Sequence, residues 1–87
     1  MKGYIYIIRS QKTGSFYVGS SQNVDERLAR HNQNRERATK NKGSWVLEFV
    51  QEYSTIKEAR QAEYKLKKLK SRDTLEKIIE NQKLTIK

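Results

Sequence analysis

The N-terminal segment of this 87-residue chain constrains the fold most strongly, because it has the pattern of a β-hairpin. Residues 4–9 (YIYIIR) are rich in tyrosine and isoleucine, which favour strands, and residues 15–18 (SFYV) form a second segment of this kind. Between them, residues 11–14 (QKTG) are typical of a turn. The sequence therefore predicts two antiparallel strands before any helix begins.

Capping residues predict a helix directly after the hairpin. Asn23 can cap it with Glu26 at the third position, which is a capping-box arrangement, and Val24 and Leu28 form its apolar stripe. The next residues, 31–44 (HNQNRERATKNKGS), are almost entirely polar. We expect a long basic loop there, or a frayed extension of the helix.

The second half of the chain predicts one more strand and two more helices. Residues 45–53 (WVLEFVQEY) alternate in polarity, and we expect one face of this strand to carry Trp45, Leu47 and Phe49. Thr55 begins a helix with Glu58 as its capping partner and with an apolar face of Ile56, Ala59, Ala62, Leu66 and Leu69. Asp73 is expected to cap a last short helix with Glu76 as partner, and its inward-facing residues are Leu75, Ile78 and Ile79.

The predicted order β-β-α-β-α-α lacks the crossover pattern of a parallel sheet. We therefore expect an α+β fold, with a small three-stranded antiparallel sheet flanked by helices. A chain of this length has a modest core, and no linker or repeat divides it, so residues 1–87 are expected to form one domain.

Composition excludes several classes of protein and favours a polyanionic partner. The formal net charge is +9, and basic residues concentrate in two stretches, 27–42 with six and 57–72 with seven. The chain has no cysteine and one histidine, which excludes disulfides, zinc fingers, iron–sulfur clusters and multi-histidine metal sites. The N-terminal apolar run is too short for a signal peptide or a membrane span, so we expect a cytoplasmic protein.

Five residues have the chemistry needed to cleave a phosphodiester: Tyr6, Tyr17, Arg27, His31 and Glu63. Arg27 and His31 are four residues apart and share a helical face, which we expect to point away from Val24 and Leu28. Glu63 lies at the flank of an apolar helix face in a basic segment. It is expected either to pair with Lys67 or to bind a metal ion.

The spacing of these residues resembles that of the GIY-YIG nuclease family. Ten residues separate Tyr6 from Tyr17, Gly19 follows two positions later, Arg27 comes after seven more residues and His31 after a further three. The helix sequence EYKLKK that begins at Glu63 is similar to that of the small single-domain bacterial members. The resemblance covers residues 2–80 and implies the family's three-stranded antiparallel sheet.

The resemblance also implies a metal-assisted hydrolysis of DNA. Glu63 would bind one Mg²⁺ or Mn²⁺ ion, and Arg27 would stabilise the charge that builds on the phosphate. Tyr6 and Tyr17 would be the signature tyrosines. One of the two tyrosines would position or deprotonate the attacking water, and we favour Tyr17 for this role. His31 would relay that proton or hydrogen-bond a tyrosine or a phosphate.

The expected partner is DNA, in branched or single-stranded forms. No interaction with a membrane is expected. The expected phosphate contacts come from the two basic stretches: Arg30, Arg35, Lys42, Lys67 and Lys68. Two alternatives stay open. The chain could be a non-cutting nucleic-acid-binding module that kept the nuclease fold, or a subunit whose basic surface binds a protein.

Overall fold

The computed structural model describes residues 2–33, 43–69 and 72–82. Its elements in chain order are β1 (Gly3–Ser10), β2 (Phe16–Ser21), α1 (Val24–Asn32), β3 (Trp45–Tyr53), α2 (Ile56–Leu69) and α3 (Arg72–Asn81). The strands form one antiparallel sheet in the order β2-β1-β3, which confirms the predicted α+β fold and element order. Within the described ranges, no helix combines the length and the apolar character needed to cross a membrane.

The central strand β1 is buried on both faces, because helices cover the sheet from both sides. Ile5 and Ile7 face α2 and α3 in a core that also contains Phe49, Leu66 and Ile78. Tyr6 and Ile8 face the opposite side, where Trp45 and the apolar stripe of α1 complete a smaller core. We call these two sides the α2 face and the α1 face.

The predicted caps of α1 and α2 are present. The Asn23 side chain accepts a hydrogen bond from the Glu26 backbone nitrogen at 3.1 Å, and Thr55 Oγ1 accepts one from that of Glu58 at 3.2 Å. The predicted cap of α3 is wrong, because that helix begins at Arg72 and Asp73 lies in its first turn. An acidic residue is favourable there, since the helix dipole is positive at its N-terminus.

The predicted polar loop, residues 31–44, begins inside helix α1 rather than after it. Helix α1 continues through Asn32, and Gln33 caps its C-terminal end. Residues 34–42 of the predicted polar loop lie outside the described residues, and its last two, Gly43 and Ser44, directly precede β3.

A β-bulge in β3 overturns the prediction that Trp45, Leu47 and Phe49 share one face. Ile7 pairs with Phe49 but Ile8 pairs with Leu47, so Glu48 is an extra residue in the ladder. The extra residue shifts the alternation of side chains by one position. Trp45 therefore packs on the α1 face, whereas Phe49 packs on the α2 face.

Two residues predicted to be apolar contacts are substantially exposed. Leu47 is 38% exposed, and Leu69, at the C-terminal end of α2, is 50% exposed. The α2 residues that pack against the sheet are Ala59, Ala62 and Leu66, at spacings of three and four. The helical period therefore predicted the buried stripe but not its C-terminal limit.

Helix α2 begins in direct contact with the first residue of β1. A Cβ atom on Gly3 would overlap the Ile56 backbone and lie 2.9 Å from the Thr55 carbonyl oxygen. Only glycine permits this approach, which sets the position of α2 against the sheet and so of Glu63, two turns further along.

Candidate active site

The signature residues meet at Gly19 on β2, where Tyr6 crosses from the neighbouring strand. Tyr6 pairs with Gly19 across the sheet, and its side chain is completely buried. A Cβ atom at position 19 would overlap the Tyr6 hydroxyl and Cζ. Glycine at this position therefore gives the Tyr6 ring the space that it occupies on the α1 face.

Tyr6 and His31 form a buried polar pair inside the α1 face. The Tyr6 hydroxyl lies 3.0 Å from His31 Nε2, and His31 has no exposed surface. The His31 ring also contacts the rings of Tyr17 and Trp45, with centroids 5.0 and 6.4 Å away. Of the partners that the sequence allowed for His31, a tyrosine or a phosphate, the structure shows a hydrogen bond to Tyr6.

The expectation that Arg27 and His31 point away from the α1 core is wrong. Val24, Leu28 and His31 have the spacing i, i+4, i+7 and therefore lie on one side of the helix. Arg27 is on the edge of the same side and is half-buried. The two residues do share a face, as predicted, but it is the one that packs against the sheet.

The surroundings of Tyr6 favour its protonated form. Burial raises the pKa of Tyr6 to about 12; the hydrogen-bonded Arg27 cation opposes this shift, and Tyr17 and Glu63 reinforce it. The Tyr6 phenol is therefore neutral at physiological pH. A neutral hydroxyl can connect Arg27 and His31 by hydrogen bonds, but it has little tendency to accept a further proton.

Glu63 approaches the same edge of the sheet from α2 and has a partner at each carboxylate oxygen. Ser20 Oγ donates a hydrogen bond to Oε1, and Lys67 Nζ lies 2.7 Å from Oε2. The ion pair with Lys67 that the sequence allowed is therefore formed. Lys67 Nζ also lies 5.2 Å from the centroid of the Tyr17 ring, so this lysine bridges the carboxylate and the second signature tyrosine.

The site residues of the α1 face and Glu63 meet because β2 is an edge strand. Tyr6, Tyr17, Arg27 and His31 belong to the α1 face, whereas Glu63 reaches the edge from the α2 face. With no further strand beyond β2 in the described part of the chain, Lys67 can contact both Glu63 and Tyr17 around it. The structure brings all five predicted site residues to this edge.

A metal ion at this edge would have Glu63 as its acidic ligand. In the described ranges, no three residues among histidine, cysteine, aspartate and glutamate are grouped to hold a metal. Mg²⁺ is often bound by one or two carboxylates, with water and substrate phosphate oxygens completing the shell. A single half-buried carboxylate beside a hydroxyl fits such a site, provided that Lys67 leaves Oε2.

Basic side chains surround the edge on both sides. A polar cleft of about 320 Å³ lies between β2, α1 and α2, and its lining includes Ser20, Arg27, Arg30 and Arg60. A neighbouring depression contains two further predicted phosphate contacts, Lys67 and Lys68. The predicted contacts Arg35 and Lys42 lie outside the described residues.

Two contributors were not predicted from the sequence. Ser20 has a signal that could have identified it: one residue after Gly19, it alternates with Val18 onto the α2 face, where it meets Glu63. Arg60 has a weaker signal, because it lies one turn before Glu63 and one turn on from the start of α2. Its place in the cleft depends on the packing of α2 against β2.

Comparison with known proteins identifies the class. The GIY-YIG catalytic domain model matches residues 2–77, and the chain belongs to this nuclease family. Among its relatives, a UPF0213 protein of Bacillus licheniformis is 37% identical over 81 residues, which are 92% of this chain and 81% of the relative. A UPF0213 protein of Staphylococcus haemolyticus is 34% identical over 80 residues, 91% of this chain and 96% of the relative.

A solved structure resembles the chain over most of its length. The solution NMR structure of a UPF0213 protein from Bacillus halodurans is 29% identical, with a TM-score of 0.60 over 94% of this chain and 86% of the other. The resemblance drawn from the sequence is confirmed, including its small bacterial type.

Proposed function

We propose that this protein is a divalent-metal-dependent endonuclease that hydrolyses DNA phosphodiester bonds and selects DNA by structure rather than by base sequence. The observation that supports it best is the meeting of Tyr6, Tyr17, Arg27, His31 and Glu63 at one basic edge of the sheet. Membership of a nuclease family gives the reaction class. The proposal concerns the substrate, the metal and the roles of the residues.

Tyr17 is the better candidate for activating the attacking water. Tyr6 is fully buried, and burial raises its pKa to about 12, so it is poorly placed to take a proton from water. Tyr17 is half-buried, lies on the edge strand and has the Lys67 ammonium beside its ring. In this proposal Tyr17 orients the water, or takes its proton after passing its own hydroxyl proton to His31, and Tyr6 holds Arg27 and His31.

His31 and Arg27 act on either side of this tyrosine pair. The His31 ring packs against Tyr17 and its Nε2 is bonded to Tyr6, so it can take a proton from Tyr17 or fix the positions of both tyrosines. Arg27 lines the polar cleft, where its guanidinium can bond two oxygens of a phosphate and offset the charge of the transition state.

Glu63 would hold the metal ion, with Ser20 keeping the carboxylate in place. When bound, a Mg²⁺ or Mn²⁺ ion supplies Lewis-acid polarisation of a non-bridging phosphate oxygen. Lys67 occupies Oε2 as an internal counter-charge, and on leaving it can contact the DNA backbone nearby. Glu63 is therefore held in position by a hydrogen bond and an ion pair before the substrate arrives.

Structure selectivity follows from the kind of contacts on offer. The basic residues around the site (Arg30, Arg60, Lys67 and Lys68) have the chemistry of phosphate contacts, and such contacts carry no direct sequence information. Within the described residues, the helices all pack against the sheet, which is unlike a helix presented to the major groove. Branches, flaps and single strands are the expected targets.

Substitution of Glu63 tests the proposal. Glu63→Gln keeps the shape of the side chain but weakens it as a ligand, so metal-dependent cleavage of a branched DNA should fall by ~10²-fold or more while DNA binding persists. Glu80→Gln, an exposed residue of α3, is the matched control and should cleave at the parent rate. Cleavage by Glu63→Gln at the parent rate, in the same metal, would overturn the proposed mechanism.

The same variant distinguishes a nuclease from a non-cutting binding module. A module of that kind would cleave in neither form, and Glu63→Gln would bind DNA more tightly because one negative charge is removed from a basic surface. Arg27→Ala gives an independent comparison: we expect ~10²-fold slower cleavage with little change in DNA affinity, since many other cations remain. Parent protein that binds branched DNA but leaves it intact in Mg²⁺ and in Mn²⁺ would favour the module.

A further inference from the structure

An exposed tyrosine lies next to the candidate metal ligand and has no role in the chemistry described above. Tyr64 directly follows Glu63 on α2, and 63% of it is exposed. Together with Lys67 and Lys68 these two residues line an open depression of about 440 Å³. A large aromatic side chain is therefore open to solvent directly beside the candidate active site.

The neighbours of Tyr64 are cations of the same helical stripe. Arg60 precedes it by four residues and Lys68 follows by four, so both lie on its side of α2. Lys68 Nζ is 5.6 Å from the centroid of the Tyr64 ring. The Tyr64 ring is therefore exposed to solvent between two basic side chains. Its helix packs against the sheet through Ala59, Ala62 and Leu66.

This combination fits a nucleobase better than a protein surface. Aromatic rings flanked by Lys and Arg are the usual platform for single-stranded nucleic acid, because bases stack on the ring while the cations contact the backbone. Protein interfaces, by contrast, are depleted in lysine at their centres. A base inside a duplex has both faces covered by its neighbours, so only an unpaired base can stack on an outside ring.

We propose that Tyr64, with Arg60 and Lys68, forms a stacking subsite for an unpaired nucleotide beside the phosphate at Glu63. This inference rests on the proposed function and deepens it. It gives the substrate class as DNA that carries a single-stranded nucleotide next to the cleaved bond, such as a flap, a branch or a frayed end. Tyr64 is then a specificity residue, and the hydrolysis itself does not need its hydroxyl.

Stacking can be measured without cleavage. The probe is a single-stranded oligonucleotide with one 2-aminopurine, whose fluorescence is quenched when it stacks, titrated in EDTA so that no metal is present. Tyr64→Leu should lose most of the quenching and bind the strand ~10-fold or more weakly, whereas Tyr64→Phe should retain both. Affinity for a blunt duplex should change less than about 2-fold in either variant, because the phosphate contacts remain.

The matched control is Leu69→Ala, which removes exposed apolar surface from the same helix outside the depression. It should change neither quenching nor affinity. Equal losses of single-strand and duplex affinity in Tyr64→Leu would overturn the inference, as would parent-like quenching in that variant. A dimer of the parent that dissociates in Tyr64→Leu, seen by sedimentation, would overturn it in favour of a protein interface.

The outcomes also separate this inference from the proposed nuclease activity. Quenching that depends on Tyr64, in a parent protein that cleaves no DNA, would support the subsite and contradict the activity. Cleavage by the parent on flaps and on blunt duplexes at equal rates, unchanged in Tyr64→Leu, would support the activity and overturn the subsite.

Discussion

Gly19→Ala changes the geometry of the site without removing any of its functional groups. The added Cβ would overlap the Tyr6 hydroxyl and Cζ, and Tyr6 cannot move along the sheet because its backbone is paired with Gly19 and with Val50. The Tyr6 ring must therefore move, and its hydroxyl group moves with it. Adding a methyl group to a packed site costs about 1–3 kcal/mol of the free energy of unfolding.

That loss is large for a domain of this size. At roughly 0.05–0.15 kcal/mol per residue, the whole chain has about 4–13 kcal/mol of stability, and each lost kilocalorie lowers the melting temperature by about 4–8 °C. Gly19→Ala should melt roughly 5–20 °C below the parent. The cleavage rate should also fall, by more than the loss of folded protein explains, since the Tyr6–His31 hydrogen bond of 3.0 Å would be displaced.

A double-mutant cycle assigns the loss to the overlap with Tyr6. Tyr6→Leu removes the ring, so Gly19→Ala should cost little or nothing in that background, because alanine suits a strand better than glycine does. Urea unfolding in an added stabilising osmolyte keeps the weak variants folded at the start of each titration. The coupling free energy between the two changes should reach at least ~1 kcal/mol.

Gly14→Ala is the control for the cycle. Gly14 lies in the hairpin turn with φ +77° and with no atom near its Cβ position, so alanine there costs about 1 kcal/mol through backbone strain alone. That cost should be the same in the parent and in the Tyr6→Leu background, which means no coupling. An unfolding midpoint of Gly19→Ala equal to the parent's, or an equal loss in both backgrounds, would refute the packing argument.

Four further results are expected. The pKa of Tyr6 is raised from 10 to about 12, so the protonated phenol stabilises the fold below pH 10, and this contribution is lost as the pH rises through 12. In urea titrations, the difference in the free energy of unfolding between the parent and Tyr6→Phe should therefore become smaller between pH 10 and 12. A constant difference would contradict this expectation. Asn32→Ala breaks two hydrogen bonds to the Trp45 backbone, of 2.6 and 3.2 Å, and should lower the free energy of unfolding by about 1–3 kcal/mol, which an unshifted urea midpoint would disprove. Ser20→Ala removes the hydroxyl that positions Glu63 and should weaken Mn²⁺ binding, measured by calorimetry, by ~10-fold; unchanged affinity would mean that the hydroxyl is not needed. Affinity for branched DNA should fall steeply between low and high salt, because phosphate contacts release counterions, and a flat dependence would leave the basic surface without a role.

The parts of the fold that were predicted correctly depend on local chemistry. Asn23 with Glu26, and Thr55 with Glu58, are three residues apart, and the bonds between them form within one turn of helix. The hairpin likewise follows from a turn of four residues between two strand-forming segments. Signals of this range can be identified in the sequence because all of their parts lie side by side.

The parts that were predicted wrongly are of two kinds, one set by pairing between distant residues and the other by local sequence. The bulge at Glu48 follows from the register of β3 against β1, which the sequence of β3 alone does not contain. Two of the errors are local: Asp73 lies inside α3 rather than capping it, and the burial of His31 follows from its spacing with Val24 and Leu28. A histidine in that stripe indicated a polar partner in the core, and Tyr6 is that partner.

The five signature residues of the candidate site were predicted from the sequence, but two further contributors and the contacts between the residues were not. The family resemblance predicted these five residues, and the structure brings them together. The contacts that define their chemistry join residues far apart in the chain, such as Ser20 with Glu63, separated by 43 positions, and Lys67 with Tyr17. Such contacts are decided by how α2 lies against the edge strand, which is a property of the packed molecule.

Because the site lies across an edge strand, its geometry depends on two separate hydrophobic cores. The Tyr6–His31 pair is maintained by the packing of α1, and the Glu63 carboxylate by the packing of α2 on the other side of the sheet. Loosening of α2 would release the carboxylate while leaving the tyrosines and histidine in register, and loosening of α1 would do the reverse. In the proposed mechanism, substitutions on one side of the sheet would therefore change metal affinity and those on the other side proton transfer, so that evolution could vary the two properties separately on a single small scaffold.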